Sequence, residues 1–356
     1  MPKYLLHNYL FAIAIIIFAC IPTRGSCNLV FRFLRYDWKA ARIDMMAPTN
    51  NPKRLRRTTS FHPLRRTAQE TPIQIPQLRA SQLECSTQTR HVQTVADELA
   101  RTGLLKISLD FQDDDSRYLE QLVVSLHKYH AHRLPISHSF NRGWFWDVRP
   151  STVKTQSANH QARSETMEEF PWHTDCSYED PTPRYFALHV LQPDRCGGGV
   201  LSFMNVQNLV DRVSDVSRRV LMLPEYTITT PPEFHKDDKQ DHISAALLGT
   251  DSSGQAIIRF RRDLITPERR NGFGSCAIGE LKSHMATAAD DPGATLHLSA
   301  EDLPAGSIVL VDNRRWLHAR SDIKDPERHL RRIRWDAMAF PAVPFREFTI
   351  HDIGMR

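Results

Sequence analysis

Two short segments of the chain carry residues that could ligate a metal ion, and the first is residues 170–175. It contains His173 and Asp175, two positions apart. Side chains alternate between the two faces of an extended segment, so an imidazole and a carboxylate at this spacing project to one side. His-x-Asp triplets also arise by chance, in core histidines or surface pairs. The pair alone is therefore weak evidence for a metal site.

The second segment lies about 145 residues further on, where an apolar run at 308–311 is followed by Asp312 and Asn313 and then by His318. Two histidines and one carboxylate on one side of an ion form the facial triad typical of non-haem Fe(II) oxygenases. That ligand set leaves coordination positions open for a co-substrate and O₂. The two segments together predict an iron site.

A pair of arginines, Arg328 and Arg332, follows the second segment. In an extended strand the period of two sends both side chains to the same face. A guanidinium binds a carboxylate in bidentate fashion, so the pair indicates a carboxylate ligand close to the metal.

The motifs taken together are stronger evidence than any one of them alone. A His-x-Asp pair, a Gly-rich turn at 196–199, an Asp-Asn-x-x-x-x-His run and an Arg-x-x-x-Arg pair resemble the Fe(II)/2-oxoglutarate dioxygenases of the taurine dioxygenase (TauD/TfdA) and clavaminate synthase-like superfamily. The resemblance covers roughly residues 165–340, about half of the chain. It implies a double-stranded β-helix, or jelly roll, with Fe(II), 2-oxoglutarate and O₂ as cofactor and co-substrates.

The resemblance also assigns roles to individual residues. It implies that His173, Asp175 and His318 are the iron ligands and that Arg328 pairs with the distal carboxylate of 2-oxoglutarate. Arg332 would lie beside the substrate or support the co-substrate. Related halogenases lack the ligand carboxylate, so the presence of Asp175 argues against halogenation.

The implied reaction is oxidation, most simply hydroxylation, of a small amino-acid-like molecule or secondary metabolite, with release of succinate and CO₂. Desaturation and ring closure stay open, because they depend on how the substrate is placed. The alternative from another class is a catalytically silent binding protein that keeps the jelly roll.

One position departs from the family pattern. After the glycines, TauD-type members usually place a Thr whose hydroxyl helps to hold the distal carboxylate, and this chain has Val200. Losing a neutral hydrogen bond costs about 0.5–1.5 kcal/mol, or up to roughly tenfold in affinity. Ser202, two residues on and on the same strand face, could substitute for the missing hydroxyl. The segment at 196–202 also has a plain structural interpretation, as a glycine turn that enters a strand.

Candidate substrate contacts, besides Arg332, are Arg261, His138 and Trp144. Trp144 belongs to an aromatic cluster upstream of the triad, and its burial as core is the more common interpretation. Arg261 lies where members that act on guanidino substrates have an Asp. We therefore expect a substrate with a carboxylate or another anion rather than a guanidinium.

The elements that must position these residues are mostly short strands separated by Pro and Gly turns. Helices are predicted at 92–102, ending at Gly103, and near 118–126, 206–222 and 278–289. Strands are predicted at 104–109, 185–191, 200–204, 226–230, 256–260, 295–298, 307–312 and 333–340. This pattern favours a mainly β fold (α+β), with a sandwich or double-sheet barrel and flanking helices, over a doubly wound α/β sheet.

The net charge of +5 arises in the N-terminal fifth of the chain. Residues 1–71 hold 12 Lys and Arg against three acids, whereas residues 72–356 carry a net charge of −4. We predict a basic targeting region or tail over 1–71 and a single dioxygenase domain over 80–356. The body is thus expected to bind a small molecule and no nucleic acid, although a basic arm that binds nucleic acid remains an alternative.

The targeting signal in residues 1–71 is ambiguous. The apolar run at 10–21 suits the core of a secretory signal or signal anchor, with membrane contact only if it is retained. The Arg-rich stretch at 32–66 suits a mitochondrial presequence, and the run at 52–57 resembles a nuclear signal. An upstream extension, with Met45 or Met46 as the working start, would remove the conflict. The six cysteines show no CxxC and no tight spacing, which favours an intracellular, cytosolic or mitochondrial location.

Overall fold

The computed structural model describes residues 71–137, 143–150, 161–235, 241–267 and 272–341. The predicted tail at 1–71 and the candidate contact His138 lie outside the described residues, apart from Thr71. In the described ranges no helix is both long and apolar enough to cross a membrane.

Strands outnumber helices, as the sequence predicted. The helices of the described ranges are α1 (Thr89–Thr102), α2 (Arg117–His130), α3 (Val206–Val210), α4 (Asp215–Leu221) and α5 (Phe273–Ala289). The strands there are β1 (Gln77–Ala80), β2 (Leu104–Leu109), β3 (Phe145–Val148), β4 (Phe170–His173), β5 (Thr182–Gln192), β6 (Leu201–Asn205), β7 (Tyr226–Thr229), β8 (His242–Ala245), β9 (Leu248–Thr250), β10 (Ala256–Ile258), β11 (Ile265–Pro267), β12 (Thr295–Leu298), β13 (Ser307–Asp312), β14 (Trp316–Arg320) and β15 (His329–Met338).

Two sheets form the body of the fold. The larger has six strands in the order β1-β2-β13-β5-β15-β3, and the smaller has four in the order β12-β6-β14-β4. Strands that neighbour each other in these sheets are often far apart in sequence, as in β13 beside β2 and β5. The smaller sheets are β11-β7-β8 and β10-β9. Two main sheets built by such crossovers agree with the predicted double-sheet barrel.

A period of two along the central strands separates two apolar cores. On β13, Ile308 and Leu310 pack with helices α1 and α2, whereas Val309 and Val311 pack between the two main sheets. This alternation is expected of a strand buried on both faces. The helices therefore cover the outer face of the six-stranded sheet, and the inner face is left for the space between the sheets.

The first helix shows how local sequence sets an element. Val92, Val95 and Leu99 recur at helical spacing and are fully buried. The helix ends at Gly103, whose φ of 70° is left-handed and whose N–H donates to the carbonyl of Leu99. Both the helix and its terminator were predicted, although the helix begins three residues earlier, at Thr89.

The prediction and the structure differ at one helix and at several strands. The single helix predicted at 206–222 is broken into α3 and α4, because Ser214 starts a new helix by accepting a hydrogen bond from the N–H of Ser217. The sequence predicted no strand at 316–320, which forms β14, and none at β1, β3, β8, β9 or β11. An Asn-Arg-Arg turn after β13 returns the chain to the opposite sheet over very few residues.

Candidate active site

The predicted metal ligands meet on two neighbouring strands of the four-stranded sheet. His173 ends β4, and His318 lies directly opposite it on β14, with the ring centroids 4.0 Å apart. Asp175 lies two residues beyond His173, in the turn after β4. One ligand atom from each residue lies within 4.8 Å of the other two, and all three side chains are buried. The structure thus brings the predicted triad together.

Both imidazoles are held in the neutral form that binds metals. Burial lowers the pKa of His318 to about 4, although the charge of Asp175 opposes the shift. Burial, followed by the charge of His318, lowers the pKa of His173 well below its ordinary value. The His173 Nδ1–H donates to the Pro171 carbonyl over 2.8 Å, which leaves Nε2 free to ligate an ion.

The carboxylate of Asp175 is kept charged. Burial alone would raise its pKa, but the positive charge of Arg332, followed by that of His318, holds the pKa below the ordinary value. Arg332 Nη1 donates to both carboxylate oxygens, at 2.9 and 3.0 Å. Neutral imidazoles beside an ionised carboxylate fit a divalent ion such as Fe(II).

The backbone of Asp175 is fixed by a side chain from the second segment. Its N–H donates to Asn313 Oδ1 over 2.7 Å, and Asn313 Nδ2 donates back to the Asp175 carbonyl over 2.9 Å. Asn313 Nδ2 also donates to the Pro183 carbonyl. This buried amide ties the turn after β4 to the end of β13, so it determines where the third ligand lies.

A cavity of about 430 Å³ opens beside the triad, between the two main sheets. Phe186, Leu188 and Leu330 supply apolar walls, and Arg328 lies in the lining. The Arg328 side chain is 2% exposed, and its Nη1 has no hydrogen-bond partner in the structure. Burial, followed by the charge of Arg320, lowers the pKa of Arg328 to about 9, so it stays charged at neutral pH.

The glycine turn packs directly on Arg328. A Cβ added to Gly199 would lie 2.7 Å from Arg328 Nε, and the φ of Gly199 is +64°. Asp194 organises the turn by accepting hydrogen bonds from the N–H groups of Gly198 and Lys324. The glycines therefore let the backbone approach the arginine and fix its position.

Val200, which stands at the position of the family's Thr, and Ser202, considered as its substitute, both lie outside the cavity lining. The Val200 N–H donates to Ser321 Oγ over 3.0 Å. The Ser202 hydroxyl is hydrogen-bonded to His297 Nδ1 on β12 over 2.7 Å. Neither residue lines the cavity, whereas Leu201 between them does. The strand therefore turns its apolar side chains to the site, and Ser202 belongs to the opposite face.

A second cavity, of about 350 Å³, lies on the other side of His173 and Asp175. Arg332 and Arg261 line it, together with Tyr178 and Phe234. Arg261 lies over the Phe170 ring, with the guanidinium carbon 5.3 Å from the centroid, and it pairs with Asp263 over 3.1 Å. The structure thus places Arg261 and Arg332 beside the predicted metal ligands.

Trp144 lies in a different part of the molecule. It packs, partly buried, against the apolar core between the helices and the six-stranded sheet, and it lines neither of the two cavities beside the triad. Its position agrees with the structural interpretation of the aromatic cluster. His138, the other upstream candidate, lies outside the described residues.

Sequence reasoning gave no role to Arg320, another arginine in the larger cavity. It lies two residues after His318 on β14 and is 6% exposed. The only sequence signal was its spacing, since a period of two sends both side chains to the same face. An arginine at the end of a strand is normally solvated, so the pattern alone did not predict its burial.

The fold and the site define a class of protein. Facing sheets that enclose a buried two-histidine, one-carboxylate centre, with an arginine beside it, are the arrangement expected of a non-haem iron oxygenase. A family model described as "Taurine catabolism dioxygenase TauD, TfdA family" matches residues 108–334. The chain belongs to this family and is an Fe(II)/2-oxoglutarate-dependent dioxygenase with a jelly-roll core. No curated protein matches the sequence significantly.

Solved structures agree on the fold. An asparagine oxygenase in complex with Fe(II), 2S,3S-3-hydroxyasparagine and succinate is 17% identical, with a TM-score of 0.53, over 72% of this chain and 92% of that chain. The non-haem iron oxygenase OrfP, in complex with Fe and alpha-ketoglutaric acid, is 16% identical, with a TM-score of 0.51, over 72% and 84% of the two chains. The predicted mainly β, jelly-roll fold class is thereby confirmed.

Proposed function

We propose that this dioxygenase hydroxylates a small amino-acid-like molecule that carries a carboxylate, at an iron centre held by His173, Asp175 and His318. The observation that carries the proposal is the convergence of three buried donor side chains, within 4.8 Å of one another, on a cavity that also holds Arg328. Bound there, Fe(II) and 2-oxoglutarate would supply the oxidation of a C–H bond by O₂, with release of succinate and CO₂.

Arg328 is proposed to bind the distal carboxylate of 2-oxoglutarate. Its guanidinium is buried and has an unpartnered Nη1 in the cavity that the triad lines. A buried cation without a partner is costly, and a carboxylate would supply both the charge and the acceptors that it lacks. The 2-oxo acid group at the other end of the co-substrate would then face the metal ligands.

Arg332 is proposed to have two tasks. Its Nη1 orients the Asp175 carboxylate, and its side chain also lines the second cavity, where a substrate would lie. Its Nε has no hydrogen-bond partner in the structure. An arginine in this position can hold the metal ligand and still donate to a substrate anion.

The substrate class follows from the charges of the second cavity. Arg163, Arg261 and Arg332 line it, and Asp175 and His173 close its end. Asp263 compensates Arg261, and Asp175 compensates Arg332. Among the described lining residues, a substrate guanidinium would therefore find no carboxylate that is not already paired. A substrate carboxylate would meet several N–H donors. The solved neighbours hold hydroxylated asparagine and hydroxylated arginine, which supports an amino acid scaffold.

A succinate-release assay over a panel of amino acids tests the proposal. We expect one or more acidic or neutral amino acids to raise succinate above the uncoupled background, and we expect His173→Ala to abolish both signals. His297→Ala is the matched control, because His297 lies in the same sheet but outside the triad. Turnover of arginine at the rate of an acidic amino acid would overturn the preference for anions.

A further inference from the structure

Arg320 is a buried cation without an anionic partner in the described part of the chain. Its Nη2 donates to the carbonyl of Thr166 over 3.0 Å and to that of Glu168, and its Nη1 reaches the carbonyl of Ser164 at 3.5 Å. Its Nε has no hydrogen-bond partner among the described residues. Neutral carbonyls satisfy donors but do not neutralise a charge, so the guanidinium retains an uncompensated positive charge.

Arg328, one residue before β15 of the facing sheet, is also a buried cation without a hydrogen-bonded carboxylate among the described residues. The nearest acidic group that influences it, Asp194, accepts hydrogen bonds from four backbone N–H groups. Both arginines line the same cavity as the metal ligands, and each is less than a tenth exposed. The charge of Arg320 also lowers the pKa of Arg328, as expected for two neighbouring cations. The cavity lining therefore contains two cations that repel each other.

We propose that Arg320 is a second anion-binding residue of the co-substrate site, which acts with Arg328 on the distal carboxylate of 2-oxoglutarate. This assignment rests on the proposed function. It also accounts for Val200, since a charged donor from β14 would replace the hydroxyl that the glycine turn of this chain does not supply. A pair of guanidinium groups would select dicarboxylic 2-oxo acids over monocarboxylic ones more strongly than one arginine can.

A purely structural role is the rival explanation. Arg320 fastens the segment at 164–168, which leads into β4 and His173, so its loss could disturb the whole site. The two roles differ in what they recognise. A distal-carboxylate contact matters only for a ligand that has that carboxylate, whereas a disturbed metal site weakens every 2-oxo acid.

The test is anaerobic binding of 2-oxo acids to the Fe(II)-loaded protein, followed by the visible charge-transfer band of the chelate. 2-Oxoglutarate is compared with 2-oxopentanoate, which has the same chain length and lacks the distal carboxylate. For Arg320→Gln we expect Kd for 2-oxoglutarate to rise at least about tenfold and Kd for 2-oxopentanoate to stay within about twofold. Arg320→Lys, which keeps the charge, should fall between the wild type and the Gln variant for 2-oxoglutarate.

Arg315→Gln is the matched control, because Arg315 also donates to backbone carbonyls but lies outside both cavities beside the triad. It should bind both acids as the wild type does. An equal loss for both acids in Arg320→Gln and Arg320→Lys would assign Arg320 a structural role, and no loss for either would also overturn the inference. A wild-type protein without the chelate band would instead contradict the proposed function.

Discussion

The two main sheets make different contributions to the site. The four-stranded sheet holds both histidines, on strands that are hydrogen-bonded neighbours and in direct register. The six-stranded sheet contributes Arg332 on β15, and Arg328 lies one residue before that strand. Ligands of one ion must be fixed within tenths of an ångström, and adjacent strands of one sheet provide that. Charges act over longer distances, so they can come from the facing sheet.

The buried histidines of the two sheets differ in whether they lie at the cavity. His173 and His318 meet at the cavity, whereas His189 on β5 of the six-stranded sheet is 1% exposed and is hydrogen-bonded to Ser116. All three have pKa values lowered chiefly by burial. A buried neutral imidazole is therefore no sign of a metal site by itself. His173 and His318 differ from His189 because each has a second imidazole and the Asp175 carboxylate close to it.

The largest effect should follow removal of a ligand from the four-stranded sheet. His318→Ala should abolish measurable turnover and lower Fe(II) affinity, because two donors hold an ion far less firmly than three. Fe(II) titration with equilibrium dialysis, together with succinate release, measures both. His189→Gln is the comparison from the other sheet and should keep Fe(II) binding. Undiminished turnover in His318→Ala would contradict the proposed metal centre.

The next effect concerns the charge that faces the metal ligands. Arg332→Ala should lower kcat/KM by roughly 10- to 100-fold, because residues that orient a metal ligand typically contribute that much. Arg331→Ala is the matched variant on the opposite face of β15, where Arg331 pairs with Asp147. Steady-state kinetics should show little change for Arg331→Ala. Similar losses in the two variants would mean that β15 as a whole, and not the contact with Asp175, is affected.

A smaller effect should appear in the stability of the protein at acid pH. The pKa of His189 is lowered to about 4 in the folded chain, so between its ordinary value and pH 4 the unfolded chain binds a proton that the folded chain does not. Stability then falls as pH falls, and this residue should contribute about 2 kcal/mol of loss between pH 7 and pH 5. Urea unfolding at the two pH values measures it. His189→Gln should show a smaller loss than the wild type, and an identical loss would contradict the assignment.

The smallest effect is expected for alanine substitutions in the glycine turn, where two variants distinguish backbone strain from contact with Arg328. Gly199→Ala and Gly197→Ala both place a Cβ at a left-handed φ, +64° and +78°, and each should cost about 1 kcal/mol of stability. Only the Cβ at residue 199 meets Arg328, since the position at 197 is open. Anaerobic titration should therefore show weaker 2-oxoglutarate binding, by several-fold, in Gly199→Ala alone. Equal binding in both variants would mean that the turn does not position Arg328.

Much of the fold could be predicted because its elements have strong local signals. The apolar spacing of α1 and its terminal Gly103 predicted the helix, and the apolar run at 308–311 predicted the strand β13. β14 was missed, because Trp316–Arg320 mixes apolar and basic residues and is stabilised by pairing with β6 and β4. Such pairing depends on residues more than a hundred positions away, which no local pattern contains.

The site was predicted unevenly for a related reason. The triad follows from residue types that are rare in combination, and the family motif supplied Arg328. Ser202 was considered because it shares a strand face with Val200, but alternation does not say which face is inside when Leu201, Phe203 and Met204 are all buried. The spacing of Arg320 from His318 did not reveal its burial, because that burial depends on the carbonyls at 164–168, some 150 residues earlier.

The hydrogen bonds between Asp175 and Asn313 have a consequence for how the chain is made. Asp175 is synthesised 138 residues before the amide that fixes its backbone, and His318 and Arg332 emerge later still. A growing chain thus carries the first half of the site long before anything can hold that half in place. The site is completed only when nearly the whole domain has left the ribosome, so a chain truncated before β14 would have two ligands and no centre.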